Sequence, residues 1–188
     1  MSLEKRLFDL IYACLKENRK KLQYPIRQKA KFEGWLKIEL FYSIWHKLLD
    51  RNQDSEIKLE QSYRHNTKCH CDIFFCTPKK KYVYLELKTI NTNYDCNSDL
   101  IMKKTKPITK NVRSVIEDAN KLEKIKNKEV KKIVAFVVYP LCEEKLDEWE
   151  YHESKINKKM GKFVDFKDLC VFPNNKRIFM RLYLYRVT

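Results

Sequence analysis

Asp72, Glu86 and Lys88 are the residues whose types and spacing could do chemistry. Asp72 opens the run Asp72-Ile73-Phe74-Phe75-Cys76, the segment Pro78-Lys79-Lys80-Lys81 follows, and Tyr82-Val83-Tyr84-Leu85-Glu86-Leu87-Lys88 completes the stretch. Two β-prone runs around a proline-lysine turn have the pattern of a hairpin. Side chains alternate between the faces of a strand, so His70, Asp72 and Phe74 share one face of the first run, and Tyr82, Tyr84, Glu86 and Lys88 one face of the second. Where those faces coincide, two carboxylates and an ammonium group converge on an otherwise apolar sheet. Burying such charges is costly unless they pair with one another or hold a cation.

The surrounding pattern supplies elements to position this group. Residues 3–22 place Leu3, Leu7, Leu10, Ile11, Cys14 and Leu15 at helical spacing, with Ser2 as N-cap and a break at Tyr24-Pro25. A second helix over about 30–50 is apolar almost all round and is expected to be largely buried. In it, Glu33 has the i,i+4 spacing of a solvated pair with Lys37. Glu39 sits among the apolar residues, one turn from Trp35 and Tyr42; it reads equally as a site carboxylate or as a helix-margin carboxylate bonded to Tyr42 or His46. Residues 55–64 alternate as a half-solvated strand leading into the hairpin. After Lys88 the polar stretch 89–99 reads as a loop. Its Asn91 and Asn93 suit phosphate or base-edge contacts, or simply an ordinary surface loop. From Thr109, a candidate cap, Val112, Val115, Ile116, Ala119 and Leu122 form a helical stripe. The run 133–139 reads as a strand buried on both faces, parallel to the Glu86 strand because a helix connects them. A helix over 143–160 and a closing strand over 177–187, expected at the sheet edge, complete the chain.

Asp72 together with Glu86-Leu87-Lys88 resembles the PD-(D/E)XK nuclease superfamily, which includes type II restriction endonucleases, Holliday-junction resolvases and RecB-like nucleases. Cys71 stands where that motif has its proline. The order helix, three strands, helix, buried strand matches the superfamily's αβββαβ core, and the resemblance covers roughly residues 31–140 of a single domain spanning 1–188. It implies an α/β fold with an α+β-like mixed sheet: a restriction-endonuclease-like core with N-terminal helices and a C-terminal helix and strand. It further implies a metal-dependent endonuclease hydrolysing phosphodiester bonds in DNA. Asp72, Glu86 and the Leu87 carbonyl would hold Mg²⁺ or Mn²⁺, Lys88 would orient the attacking water and stabilise negative charge, and Glu39 would be the extra helical glutamate. The QxxxY element of the RecB-like branch is not visible, which favours a restriction-type or other small endonuclease. Double-strand cutting needs two active sites, which a homodimer would supply, though no interface can be read from the sequence.

Composition bounds the partners. Net charge is +15, with 40 Lys and Arg against 25 Asp and Glu, which points to a polyanion such as nucleic acid. Lys79, Lys80, Lys81, Lys103, Lys104, Lys106 and Lys110 are the candidate backbone contacts. The joint abundance of Lys, Asn and Ile is also what an AT-rich genome produces, so part of this charge has a blander origin. The two glycines, Gly34 and Gly161, are too few for a P-loop or a dinucleotide-binding loop. Seven cysteines without framework spacing read as reduced thiols in a cytoplasmic protein. Cys69-His70-Cys71 suggests zinc, but alternation turns His70 away from both thiols and no second Cys pair exists; buried thiols are the expected reading. No apolar run reaches the length of a membrane span, and the N-terminus lacks the pattern of a secretory signal. The alternative function is a non-catalytic nucleic-acid-binding protein with a nuclease-like fold.

Overall fold

A helix needs its first N–H groups satisfied and one face covered, and α1 (Leu3–Glu17) meets both needs as its sequence suggests. The Ser2 hydroxyl accepts from the Lys5 N–H at 3.1 Å, and Leu7, Phe8, Ile11 and Leu15 are buried. The computed structural model describes residues 1–49, 55–63, 66–96, 107–127, 129–172 and 177–187. The break expected at Pro25 falls instead at Asn18, whose side-chain amide donates to the Cys14 carbonyl at 3.0 Å; α2 (Arg19–Arg27) carries Pro25 within it. Helix α3 (Glu33–Lys47) buries a single stripe of Leu36, Leu40 and Ile44, not its whole circumference. Ile38 and Tyr42 are 58% and 63% exposed, because α3 packs on α1 and on strands β1–β3 from one side only.

The strands are β1 (Glu56–Tyr63), β2 (Asn66–Cys76), β3 (Tyr82–Asn91), β4 (Val130–Cys142), β5 (Lys162–Cys170) and β6 (Ile178–Val187), with α4 (Ile108–Glu123) between β3 and β4. A 3₁₀ turn (Glu143–Lys145) leads into α5 (Leu146–Asn157). The six strands form one mixed sheet in the order β1-β2-β3-β4-β6-β5. β3 and β4 are parallel, joined by α4 as expected of a strand–helix–strand crossover, and the other neighbours are antiparallel. Along β4, Ile133, Ala135, Val137 and Tyr139 pack with α1–α3, whereas Val134, Phe136 and Val138 pack with α4 and α5. This two-sided burial is what a continuous apolar run requires, and it makes the molecule a three-layer α/β/α arrangement.

Two expectations fail, one at the closing strand and one at the start of α4. β6 is interior, between β4 and β5, and the edge strand is β5, which the sequence does not announce. Its register shifts between Phe163 and Asp165, so Phe163 and Phe166 lie three apart and break the alternation that signals a strand. Helix α4 starts at Ile108 with Pro107 at its N-cap position, not with Thr109. Among the described residues no helix is long and apolar enough to cross a membrane.

Candidate active site

The site forms where β2 and β3 part. Their ladder runs from Cys76–Tyr82 to Ile73–Leu85 and, among the described residues, goes no further. Beyond it, alternate N–H groups of β3 lose strand partners, and a buried backbone donor must find another acceptor. Two carboxylates take them: Asp72 Oδ2 accepts from the Leu87 N–H at 2.8 Å, and Glu33 Oε2 from the Thr89 N–H at 3.0 Å. Bonds of this type are charge-assisted and stronger than neutral ones.

The remaining contacts knit these groups together. Asp72 Oδ1 lies 2.7 Å from Lys37 Nζ on α3, which also reaches Glu60 of β1. Glu86, only 3% exposed, accepts a hydrogen bond from the buried hydroxyl of Tyr63 at the end of β1. Lys88 Nζ lies 3.0 Å from Asp118 Oδ2 on α4 and 3.4 Å from Glu33 Oε1. Lys121, one turn along α4, holds Asp118 Oδ1 at 2.6 Å. Asp118 Oδ2 is buried and, despite its proximity to Lys88, receives no well-directed hydrogen bond.

Burial, together with the nearby charges of Asp118 and Asp72, pushes the Glu86 carboxyl up to about 9. Glu86 therefore keeps its proton at neutral pH, which leaves Asp72, Asp118 and Glu33 opposite Lys37, Lys88 and Lys121. Burial opposes the charge on Lys88, but Glu33, Asp118 and Asp72 outweigh it and raise its pKa. Lys88 is a permanent cation in a carboxylate-lined recess.

Asp72, Glu86 and Lys88 thus converge, while the other sequence candidates are arranged differently. Glu39 is partly buried, and its charge acts on Cys14 of α1; Glu33, expected to be a solvated partner of Lys37, is the α3 glutamate that reaches Lys88. The Leu87 side chain is in the core on the α1–α3 side. Asn91 is buried, its side-chain amide donating to the Lys29 carbonyl at 2.5 Å and its Oδ1 accepting from the Asn93 N–H at 2.9 Å, so it braces the chain after β3 instead of facing solvent. Asn93 is half-buried with φ 62°, a left-handed conformation that asparagine tolerates. Lys110 is exposed in the first turn of α4. Lys79, Lys80 and Lys81 are exposed in the β2–β3 turn, about 17 Å along β3 from Glu86 at about 3.3 Å per residue. Lys103, Lys104 and Lys106 lie outside the described residues. None of the seven cysteines is joined in a disulfide.

Sequence reading missed Glu33, Lys37, Tyr63, Asp118 and Lys121. For two of them the signal was present. Asp118 lies three residues after Val115 and four before Leu122, on the buried stripe of its helix, and Glu33 lies three before Leu36 and seven before Leu40, in line with the stripe of its own. A charged residue in register with an apolar stripe is the mark of a buried polar group.

Among the described residues no three His, Cys, Asp or Glu side chains form a ready-made metal cage. The donor types nevertheless suit a hard divalent cation: all are carboxylate oxygens, Asp118 Oδ2 lacks a hydrogen bond, and Glu86 is held protonated by burial and by its acidic neighbours. Comparison of the chain with protein families, curated proteins and solved structures finds no match.

Proposed function

We propose that the chain is a metal-dependent endonuclease that hydrolyses phosphodiester bonds in DNA, built on a restriction-endonuclease-like core from α3 to β4. The observation that carries this reading is the convergence of Asp72, Glu86 and Lys88 at the β2–β3 fork, joined by Glu33 from α3 and Asp118 from α4. The element order and the net charge of +15 support it.

Asp72, Glu86 and Asp118, with the Leu87 carbonyl, would hold Mg²⁺ or Mn²⁺, whose contribution is Lewis acidity toward the phosphate and the attacking water. Glu86 would hold the ion as the carboxylate, and Tyr63 fixes its carboxyl. Lys37 and the Leu87 N–H orient Asp72. Lys88 stays charged and donates to the negative charge that develops on the phosphoryl oxygens. Glu33 acts as a positioning residue, tying Lys88 to the backbone at Thr89.

Titration calorimetry with Mg²⁺, run beside a DNA-cleavage assay, tests this reading. Asp72→Ala and Glu86→Ala are expected to lose both metal binding and cleavage. Lys88→Ala should bind metal at least as well as wild type and lose about 10²–10³ in rate, the usual loss for such a donor. A Lys88→Ala protein that cuts like wild type sinks the assignment.

One observation favours a second reading, a non-catalytic nucleic-acid binder: the charges compensate one another, with Lys37 on Asp72 and Lys88 on Asp118 and Glu33. Wild-type protein that binds nucleic acid yet cuts neither DNA nor RNA with Mg²⁺ or Mn²⁺ would select it.

A further inference from the structure

The two ends of the sheet differ in charge. At one end β3, β4 and β5 begin and β6 finishes: Tyr82 pairs with Val130, Lys132 with Val187, and Lys162 with Arg186. The β2–β3 turn lies there too, and α1 begins there, since Glu4 pairs with Lys131. Topology thereby gathers cations that are far apart in sequence. Arg6, Lys79 and Lys81 help line a concavity of about 360 Å³. Lys80, Lys81, Lys131 and Arg186 line a second of about 600 Å³, and Arg186 and Lys162 a third of about 350 Å³. Neighbouring concavities share Lys81 and Arg186 as walls, so the three adjoin as a segmented groove along this end of the sheet.

Little acid offsets it. Glu4 is already held by Lys131 and lies 3.8 Å from Arg186; Glu129 is the other carboxylate in the walls. Among the described residues, Arg6, Lys79, Lys80, Lys81 and Lys162 have no carboxylate within ion-pairing distance, and all five are exposed. Exposed, unpaired cations along a groove are what a polyanion's condensed counterions exchange against. From β3 to β5 the groove crosses three strand spacings, about 14 Å, or about four base-pair steps of duplex.

We propose that this groove is a second nucleic-acid surface, one that grips the phosphate backbone of duplex DNA at the opposite end of β3 from the carboxylate cluster. The choice of duplex DNA rests on the proposed function; the existence of the surface does not. Holding substrate here leaves the chemistry at the fork untouched, so the groove should set affinity and not the rate of the bound complex.

The test is fluorescence anisotropy of a 30-base-pair duplex in EDTA, with Lys79→Gln/Lys81→Gln/Arg186→Gln compared with wild type over a salt series, after melting curves have matched the two. The slope of log affinity against log salt is expected to become shallower by about 2–3 in the variant, about 0.9 for each lost contact. Single-turnover cleavage at saturating DNA with Mg²⁺ should be unchanged. A charge-reversed Lys79→Glu/Lys81→Glu protein should bind more weakly still. Wild-type affinity and slope in both variants overturn the proposal, as does loss of binding to phosphatidylserine vesicles while DNA binding stays intact. If wild type binds in EDTA through this groove but never cuts, the nuclease reading fails and the surface stands. If it cuts, and the variants bind as well as wild type, the surface fails and the nuclease reading stands.

Discussion

Glu33 and Glu39 differ by less than two helical turns, yet only Glu33 touches Lys88 and the backbone of β3. Glu33→Ala is therefore expected to lower turnover about 10–100-fold, the usual penalty for removing a group that orients a catalytic one, whereas Glu39→Ala should leave turnover near wild type. Steady-state cleavage by the two variants at matched stability checks this, and equal rates would remove Glu33 from the site. Glu86 makes a second prediction, on pH. Its folded-state pKa of about 9 is raised above the ordinary 4.5, so in metal-free protein the folded form holds a proton that the unfolded chain loses first. The resulting stability is full below pH 4.5, declines as pH rises, and is gone above 9. Urea melts in EDTA across that window should show the decline, and Glu86→Gln should flatten it; parallel profiles would mean that Glu86 does not titrate as described.

Among the elements, β4 was the most legible and β5 the least. The run Ile133–Tyr139 is apolar at every position, as a strand covered on both faces would be, and it has helices on both. Phe136 is buried and stacks at 4.9 Å on Tyr183 and 5.8 Å on Tyr185 of β6. Phe136→Ala is expected to destabilise by about 3–5 kcal/mol, against about 1 or less for Phe166→Ala on the half-exposed edge strand; denaturant melts decide between them. β5 escaped notice because its register shift moves Phe163 and Phe166 out of alternation, and β6 was misplaced to the edge because β5 was not there to cover it. At the fork, Asp72, Glu86 and Lys88 were readable because strand spacing is local. For Asp118 and Glu33 the helical stripe marks a buried polar group, but not its partner, which depends on how α4 and α3 lie across the strands.

Seen as a whole, the molecule keeps a set of lysine-paired carboxylates at the β2–β3 fork and a largely unpaired cationic rim at the start of β3, β4 and β5. A net charge of +15 carries self-repulsion even when no partner is present. Raising salt from about 0.05 to 0.5 M shortens the screening length to well under 10 Å. The free protein is thus expected to melt at a higher temperature in high salt, the same change that weakens its hold on DNA. Differential scanning fluorimetry over a sodium chloride series reads the first effect, and a falling midpoint would show that attractive pairs such as Lys5–Asp165 outweigh the repulsion.

The parting of β2 from β3 leaves two amides of the main chain in a special position. The Leu87 N–H is held by Asp72, a residue proposed to bind the cation, whereas the Thr89 N–H is held by Glu33, which is not. These two protons sit two residues apart on one strand and answer to different side chains. Exchange with heavy water can be followed at each separately. Asp72→Ala should speed exchange at Leu87 and spare Thr89, while Glu33→Ala should do the reverse, so the backbone itself carries a built-in gauge of which carboxylate has let go.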